Sequence, residues 1–268
     1  MPLVVDACVA QHQGDRKEQQ DRVLLVSHPR KKGVLLAAVA DGMGGHAGGT
    51  LAAEQVIHTA KSNLDRFSPA EESACGMLEG SMREAHTMIK MSRCINEKEP
   101  HSTAVMLLLQ PNRVSWGYCG DSRLYHFRGA SLLSRTVDHS LVEHLVSVGR
   151  ITPEQALTHP QRNVLLTSLG GLDEPRFDFS ETQDFQAGDS FMLCSDGIWA
   201  YFSDDEIGDL LAANTARAAC EEIISLARQR AAGRGDNLSL AVIRLVAVEA
   251  PKKKLPAGFV PRAKELMS

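Results

Sequence analysis

The sequence is poor in aromatic residues and has no excess of positive charge. Aromatic side chains make up 5% of the 268 residues, and 29 Lys and Arg stand against 33 Asp and Glu, a formal net charge of −4. Proteins that bind single-stranded nucleic acid stack bases on aromatic rings, and those that follow a phosphate backbone carry a basic face. The composition therefore argues against a nucleic-acid-binding module.

Long hydrophobic runs are also missing. The longest, near residues 34–40 and 104–109, are far shorter than the ~20 residues that cross a bilayer. The first residues, MPLVVDACVAQHQGD, contain neither a basic segment nor a long apolar one. We therefore expect no signal peptide, no membrane insertion and a cytoplasmic location.

The cysteines show neither a CxxC pair nor the spacing with histidine that is typical of zinc sites. We interpret them as small core residues of a reduced protein rather than zinc ligands or disulfide partners. The six are Cys8, Cys75, Cys94, Cys119, Cys194 and Cys220.

The order of apolar segments predicts an α+β fold with antiparallel sheets, because runs of strands are broken by pairs of helices. Strands are predicted at 4–10, 23–27, 34–40, 104–109, 114–119, 123–127, 132–133, 177–181, 191–194 and 238–248, and helices at 49–64, 140–148, 153–157, 204–213 and 216–231. A further long helix is predicted to begin with Ser68 as its N-cap and Pro69 in its first turn, and to end at about Cys94.

Aspartates recur where an apolar strand meets a Gly-rich or polar turn. A single Asp-Gly pair is most simply a turn, but repetition changes the interpretation. Carboxylates brought together on rigid strand ends repel one another unless cations lie between them. An all-oxygen set without His or Cys spacing favours Mg²⁺ or Mn²⁺ over zinc. The residues are Asp21, Asp41, Asp121, Asp196 and Asp236.

Glycines follow Asp41 in the segment DGMGGHAGG. The segment lacks the GKS or GKT ending of a phosphate-binding Walker loop and does not match GxGxxG, so it is weak evidence for a nucleotide site. A tight turn, entry to the next helix, and close backbone approach to a metal or its waters at Gly42 are the roles we consider.

Six motifs in order resemble the metal-dependent protein phosphatases of the type 2C class, in their bacterial form. They are R-x-x-x-x-D from Arg16 to Asp21, DGMGGH, GDSR, DHS, SDGIW and GDN followed by Leu-Ser. The resemblance extends from about residue 5 to residue 245. It implies a four-layer α/β/β/α sandwich of two antiparallel sheets flanked by helices. The implied phosphatase domain covers 1–249, with a flap subdomain at about 138–172, and a basic tail follows at 250–268.

The resemblance also implies a binuclear Mn²⁺ or Mg²⁺ site, with a possible third ion. Arg16 resembles the arginine that grips the phosphate, and His46 is a candidate acid for the leaving group, although a histidine beside a Gly-rich turn is more often a structural hydrogen bonder. Asp41 would bridge two ions and Asp21 would act through a bound water. The implied metal-site residues are Asp21, Asp41, Gly42, Asp121, Asp196 and Asp236.

The implied activity is hydrolysis of phosphoserine and phosphothreonine in proteins by a metal-activated water, in opposition to a Ser/Thr kinase. A monomer is the expected state, with phosphorylated proteins as partners. A catalytically weak module of the same fold that senses phosphoprotein or metal is the alternative, and the retained strand-end aspartates favour the enzyme. A small phosphoester as the natural substrate stays open.

Overall fold

Two five-stranded antiparallel sheets lie face to face in the computed structural model, which describes residues 3–45, 47–93 and 99–247. In the first sheet the strand order is β1-β12-β11-β8-β9, and in the second it is β10-β7-β6-β3-β2. The strands are β1 Leu3–His12, β2 Arg22–Ser27, β3 Leu35–Ala40, β4 Gly42–Met43, β5 His101–Ser102, β6 Ala104–Gln110, β7 Arg113–Cys119, β8 Arg123–Arg128, β9 Ser131–Arg135, β10 Asp178–Thr182, β11 Asp189–Cys194 and β12 Leu238–Ala247. The short strands β4 and β5 pair with each other.

Helices cover the outer faces of both sheets. They are α1 Ala47–Arg66, α2 Ala74–Ser92, α3 Leu141–Ser147, α4 Pro153–Leu157, α5 Asp196–Trp199, α6 Asp204–Ala213 and α7 Ala216–Ala231. The first two pack on the second sheet, whereas α6 and α7 pack on the first. This is the predicted four-layer sandwich, and the expectation of α+β architecture is confirmed.

Alternation along the central strands explains why they read as unbroken apolar runs. In β3, Leu36 and Ala38 face the helices, while Ala37 and Val39 face the other sheet. Successive side chains of a strand point to opposite faces, so a strand that is covered on both sides has no polar face. The core therefore consists of three apolar layers, and the polar residues of the central strands concentrate at their ends.

The predicted start of the second long helix at Ser68 was wrong. The Ser68 carbonyl accepts from the backbone N–H groups of Glu71 and Glu72, which forms a separate turn. The helix begins at Ala74, because Ser73 is the residue whose hydroxyl caps it, accepting from the N–H of Gly76 at 3.0 Å. The predicted end near Cys94 lies outside the described residues, as does Val248 at the end of the last predicted strand.

The five described cysteines are free thiols, and three of them are core residues as predicted. Cys119, Cys194 and Cys220 are buried, and burial raises the pKa of the Cys119 thiol to about 12. Cys8 and Cys75 are partly buried, and Cys94 is not described. Across the described ranges, no helix has the length and apolar character needed to cross a membrane.

Candidate metal centre and active site

One cavity of about 510 Å³ opens at one end of the sandwich, where strands from both sheets finish or begin. Asp41 follows β3, Asp121 lies between β7 and β8, Asp196 follows β11, and Asp236 precedes β12. All four line the cavity, together with Gly42 and Arg16. The structure thus gathers carboxylates that are up to 195 positions apart in the chain.

Asp21, the fifth strand-end aspartate, lies beneath this cavity and is only 1% exposed. Its Oδ2 accepts from the hydroxyl of Ser195 at 2.7 Å, which links the start of β2 to the loop that carries Asp196. Burial raises the pKa of Asp21 to about 6, partly opposed by this hydrogen bond. Asp21 is therefore placed to support the cavity wall from below.

The carboxylates of the cavity destabilise one another's charged forms. Burial is the main cause that raises the pKa of Asp41 well above its usual range, and the neighbouring carboxylates of Asp21 and Asp196 raise it further. The pKa of Asp196 rises for the same reasons. Burial and the nearby Asp138 raise the pKa of Asp121 to about 7. This cavity therefore favours positively charged occupants.

The Arg16 guanidinium is the cation that reaches these carboxylates most directly. Its Nη2 donates to Asp236 Oδ2 at 2.5 Å, and the arginine side chain is 61% exposed. The Asp236 partner raises the pKa of Arg16. Arg16 and Lys17 are the basic residues that line the cavity, and they are outnumbered by the acidic lining residues Asp15, Glu18, Asp41, Asp121, Asp196 and Asp236.

The DGMGG segment is built for close backbone packing. A Cβ at Gly42 would lie 2.0 Å from the carbonyl oxygen of Gly49, so no larger residue fits there. Asp41 is held from the neighbouring strand end, since its N–H donates to Thr103 Oγ1 at 3.0 Å and its carbonyl accepts from the Thr103 N–H at 2.9 Å. The pairing of β4 with β5, which two residues cannot signal in a sequence, completes this support.

Asn237 is a site residue that the sequence argument missed as an individual residue. Its Oδ1 accepts from the Gln20 N–H at 2.7 Å, and its Nδ2 donates to the carbonyls of Gln13 and Glu18 at 2.8 and 2.9 Å. One side chain thereby fixes the loop that carries Arg16 next to Asp236. The GDN motif contained this signal, because an amide can both donate and accept where a carboxylate cannot.

The loop of Asp121 is held by residues from two other motifs. Trp199 Nε1 donates to the Asp121 carbonyl at 2.9 Å, and the Arg123 guanidinium lies 3.7 Å above the Trp199 ring. Arg123 in turn forms a two-pronged pair with Asp138 at 2.9 and 2.8 Å. The SDGIW, GDSR and DHS motifs are therefore parts of one support.

His139 joins the same loop to the segment that follows it. Its N–H donates to the Gly120 carbonyl at 3.0 Å, and its Nδ1 accepts from the Gly120 N–H at 3.3 Å. The ring stacks on Tyr118 with centroids 4.8 Å apart, while Nε2 lies 3.1 Å from Asp178 Oδ2. Burial lowers the pKa of His139, which favours a neutral ring that donates through Nε2 to the Asp178 carboxylate.

The structure therefore brings together all the sequence-predicted residues that it describes: Arg16, Asp21, Asp41, Gly42, Asp121, Asp196 and Asp236. His46 lies outside the described residues. Within those residues, no group of three or more His, Cys, Asp or Glu side chains is arranged to hold one metal ion by itself. To complete its coordination shell, an ion in this cavity would need backbone oxygens, water molecules or a rotation of the carboxylate side chains.

The sandwich and its acidic cavity define a class of protein in which two sheets present oxygen ligands at one end. A comparison with known families agrees with this class, since the family described as protein phosphatase 2C matches residues 10–232. The chain belongs to the protein phosphatase 2C family, and the resemblance seen in the motifs is confirmed.

Named relatives are bacterial. The chain is 35% identical over 220 residues to the serine/threonine protein phosphatase PstP of Mycobacterium tuberculosis, covering 80% of this chain and 41% of PstP. It therefore spans about two fifths of the length of that relative. It is 30% identical over 221 residues to the protein phosphatase PhpP of Streptococcus pneumoniae, covering 80% of this chain and 87% of PhpP.

Solved structures share the fold. The catalytic domain of PstP in complex with two manganese ions matches with a TM-score of 0.77 and 30% identity, covering 92% of this chain and 100% of that domain. The serine/threonine phosphatase Stp1 from Staphylococcus aureus matches with a TM-score of 0.82 and 27% identity, covering 91% and 96% of the two chains.

Proposed function

We propose that this protein hydrolyses phosphoserine and phosphothreonine in proteins, using divalent cations held in the acidic cavity. The observation that carries the proposal is the convergence of Asp41, Asp121, Asp196 and Asp236 on one cavity with an arginine at its rim. Relatives that carry the name serine/threonine protein phosphatase support the same activity.

The donor set fits hard divalent cations. Carboxylate and carbonyl oxygens are the preferred ligands of Mg²⁺ and Mn²⁺. Burial, and after it the neighbouring carboxylates, raise the pKa values of Asp41 and Asp196, and such ions would neutralise the charge that is unfavourable there. Asp41 and the Gly42 carbonyl would hold one ion and Asp41, Asp196 and Asp236 a second. Asp21 would act through water, and Asp121 with Asp196 would serve a possible third ion.

Bound divalent ions would neutralise the charge of the phosphoryl group. They would also lower the pKa of a water molecule, so that it can attack phosphorus as hydroxide near neutral pH. The chain itself supplies orientation. Arg16 would donate two parallel hydrogen bonds to phosphoryl oxygens, for which its planar fork is suited. Asn237 holds the backbone of the loop that carries Arg16, while the Arg16 side chain itself is exposed. The guanidinium would therefore turn from Asp236 toward a substrate at the mouth of the cavity without movement of the loop.

An enzyme of this kind would act on phosphorylated proteins and so oppose a Ser/Thr kinase. It would do so as a monomer in the cytoplasm, with residues 138–172 as a flap beside the site and 1–249 as the phosphatase domain. The basic tail at 250–268 lies outside the described residues. Every candidate metal ligand lies within the described residues of the proposed phosphatase domain.

The test is release of phosphate from a phosphothreonine peptide, with Mn²⁺, with Mg²⁺ and after chelation. We expect turnover with either ion and none after chelation, while the chelated protein stays folded by circular dichroism, because the three apolar layers need no ion. Folded protein without turnover under any of these ions would instead support the sensing module. Turnover of small phosphoesters alone would exclude a protein substrate.

A further inference from the structure

Two buried serines lie beside Asp21, beneath the acidic cavity. Ser195, which precedes Asp196, and Ser239 on β12 are both 0% exposed. The Ser195 hydroxyl donates to Asp21 Oδ2 at 2.7 Å, and the Ser239 hydroxyl is a second hydrogen-bond partner of the same carboxylate. Neither serine is among the described residues that line the cavity. An effect of either hydroxyl on a bound cation must therefore act through another residue.

Ser195 does not perform the local role that its position predicts. It is the N-cap residue of α5, where a serine hydroxyl ordinarily accepts from a backbone N–H of the first helical turn. The Ser195 hydroxyl forms no such capping bond. It accepts instead from the Ser239 N–H at 3.2 Å, which leaves its own proton for Asp21. The hydroxyl is thus directed at Asp21 rather than at the helix.

Ser239 interrupts an apolar face of β12. Ala241 and Ile243, which follow it at alternate positions, belong to the apolar layer between the two sheets. A buried hydroxyl in such a place needs hydrogen-bond partners. Gln11 lies opposite Ser239 on β1 and donates from Nε2 to Ser239 Oγ at 3.0 Å. Because the Ser239 oxygen accepts from Gln11, its proton is available to Asp21.

The backbone around this group is tied as well. The Ser195 N–H donates to the Ser239 carbonyl at 3.0 Å, one residue beyond the last paired residue of β11. Gln11 Nε2 also donates to the Asp21 carbonyl at 3.1 Å. Asp21 is therefore held at its backbone by Gln11 and at its carboxylate by two hydroxyls, which restricts rotation of the carboxylate.

Asp21 connects the two serines to the cavity. Its carboxylate is close enough to that of Asp41 for the two to share a hydrogen bond. Among the neighbouring charges, Asp21 acts on Asp41 most strongly. Asp41 itself lines the cavity. One carboxylate thus separates each hydroxyl from the wall of the proposed cation site.

We propose that Ser195 and Ser239 are positioning residues, which hold the Asp21 carboxylate in the orientation that supports cations bound beside Asp41. The role assigned to them rests on the proposed function, in which Asp21 acts through a water molecule. Residues that hydrogen-bond to the groups around a metal orient those groups, and replacing them typically lowers metal affinity or activity about 10–100-fold.

A purely structural role predicts a different result. If the hydroxyls only reduce the cost of burying Asp21, their loss should lower the melting temperature and leave the cation affinity of the folded protein unchanged. Cation affinity, measured on protein that is still folded, therefore distinguishes positioning from structural support.

The test is titration of Mn²⁺ into the cation-free full chain, with free Mn²⁺ measured by electron paramagnetic resonance. Ser195→Ala and Ser239→Ala should each weaken Mn²⁺ binding by about tenfold or more. Ser81→Ala is the matched control, because the Ser81 hydroxyl is equally buried and donates to the Met77 carbonyl within α2 at 2.8 Å. It should bind Mn²⁺ as the wild type does.

A double-mutant cycle with Asp21→Asn separates an effect through Asp21 from one through Asp196, the next residue after Ser195. Ser195→Ala should add no further loss of Mn²⁺ affinity to that of Asp21→Asn. An equal loss in both backgrounds would show that Ser195 acts through Asp196, and would overturn the proposal. If an alanine variant does not fold, the cysteine variant at that position keeps a similar volume and a weaker donor, and the same result is expected.

The remaining outcomes separate the serines from the proposed activity. Serine variants that are folded and bind Mn²⁺ as tightly as the wild type would overturn the positioning role and leave the proposed phosphatase activity standing. A wild type that bound no Mn²⁺ would overturn both.

Discussion

Asp41 shows, at the scale of one residue, that the site keeps a buried carboxylate among other carboxylates at a cost to the stability of the fold. It follows a strand whose last five residues are buried, and neighbouring carboxylates add to the burial that raises its pKa. Its backbone is held on both sides by Thr103, so the side chain stays where the repulsion is strongest. Such a residue is costly to the fold, and the cation that we propose for this cavity would offset that cost.

We therefore expect Asp41→Asn to lower activity by at least ~10–100-fold, which is the loss typical when a residue that only hydrogen-bonds to a metal ligand is replaced. The same change removes a repelling charge, so its melting temperature without divalent ions should equal or exceed that of the wild type. Added Mn²⁺ should raise that temperature much less than in the wild type. Differential scanning fluorimetry and phosphate release measure the two effects.

Asp209→Asn is the matched control, because Asp209 is exposed on α6 and its loss changes the net charge equally. It should keep both activity and the Mn²⁺-induced stabilisation. An Asp41→Asn protein that kept both as well would remove Asp41 from the metal site.

Arg16 leads to a different prediction, because we propose that it binds the phosphate of the substrate rather than a cation. Arg16→Ala removes a charge-assisted contact worth about 1.5–3 kcal/mol, which corresponds to about a tenfold to hundredfold loss in kcat/KM. Mn²⁺ binding measured by calorimetry should be retained or strengthened, since Asp236 loses its present partner. Arg217→Ala, on an exposed face of α7, is the control. Unchanged kcat/KM would exclude Arg16 from the site.

At the scale of elements, sequence patterns were informative where a period extends over several residues. The helix at Asp204–Ala213 and the one at Ala216–Ala231 have the predicted limits, since each has a capping residue and a clear apolar stripe. Strands β4 and β5 and helix α5 were not predicted, because two to four residues carry no period. They nevertheless hold Asp41, Gly42 and Asp196 in place.

The same limit applies to the site. Strand-end aspartates could be identified from sequence, because each follows or precedes an apolar run. Their supports could not, since Asn237 acts on a loop 217 positions away and Trp199 on Asp121, 78 positions away. Ser68 shows that the local signal can also mislead, since it was predicted to cap the second long helix, whereas Ser73 caps it.

Residues 138–172 are held at their ends and carry little core between them. Asp138 and His139 fix the start, and the bridges Ser140 with Leu165 and Ser102 with Leu169 fix the return. Neither α3 nor α4 has a buried residue. Local stability is low where few apolar side chains are buried.

We accordingly expect fast amide exchange across residues 141–160 and slow exchange in β3 and β6, measured by mass spectrometry. Exchanging this segment for that of a relative should change which phosphoproteins are hydrolysed and spare a small chromogenic ester, because loops beside a rigid site set selectivity. Protection as strong as in the central strands would contradict the mobility, and an unaltered preference would contradict the role in selectivity.

For the whole molecule, the apolar layers of the sandwich stabilise the fold, whereas the buried carboxylates of the acidic cavity destabilise it. One apolar layer lies between the two sheets and one on the outer face of each, and the cavity lies at the end where the strands stop. Stability without divalent ions should therefore depend on the protonation of the cavity carboxylates. Bound cations would remove that dependence by taking the place of the protons.

The sign of this dependence follows from two groups. The folded-state pKa is about 6 for Asp21 and about 7 for Asp121, against 3.8 for an ordinary aspartate, and burial is the main cause in both. Between pH 4 and 7 these two groups thus bind more protons in the folded protein than in the unfolded chain, so their contribution to the free energy of unfolding should fall as the pH rises. Each unit of raised pKa corresponds to about 1.4 kcal/mol.

Urea denaturation of cation-free protein at several pH values, for wild type and Asp121→Asn, isolates the effect, because His126 and His139 titrate in both. The free energy of unfolding of the wild type should fall relative to that of the variant as the pH rises from 4 to 7, and saturating Mg²⁺ should reverse that fall. A difference that stays constant from pH 4 to 7 would show that Asp121 titrates normally in the folded protein.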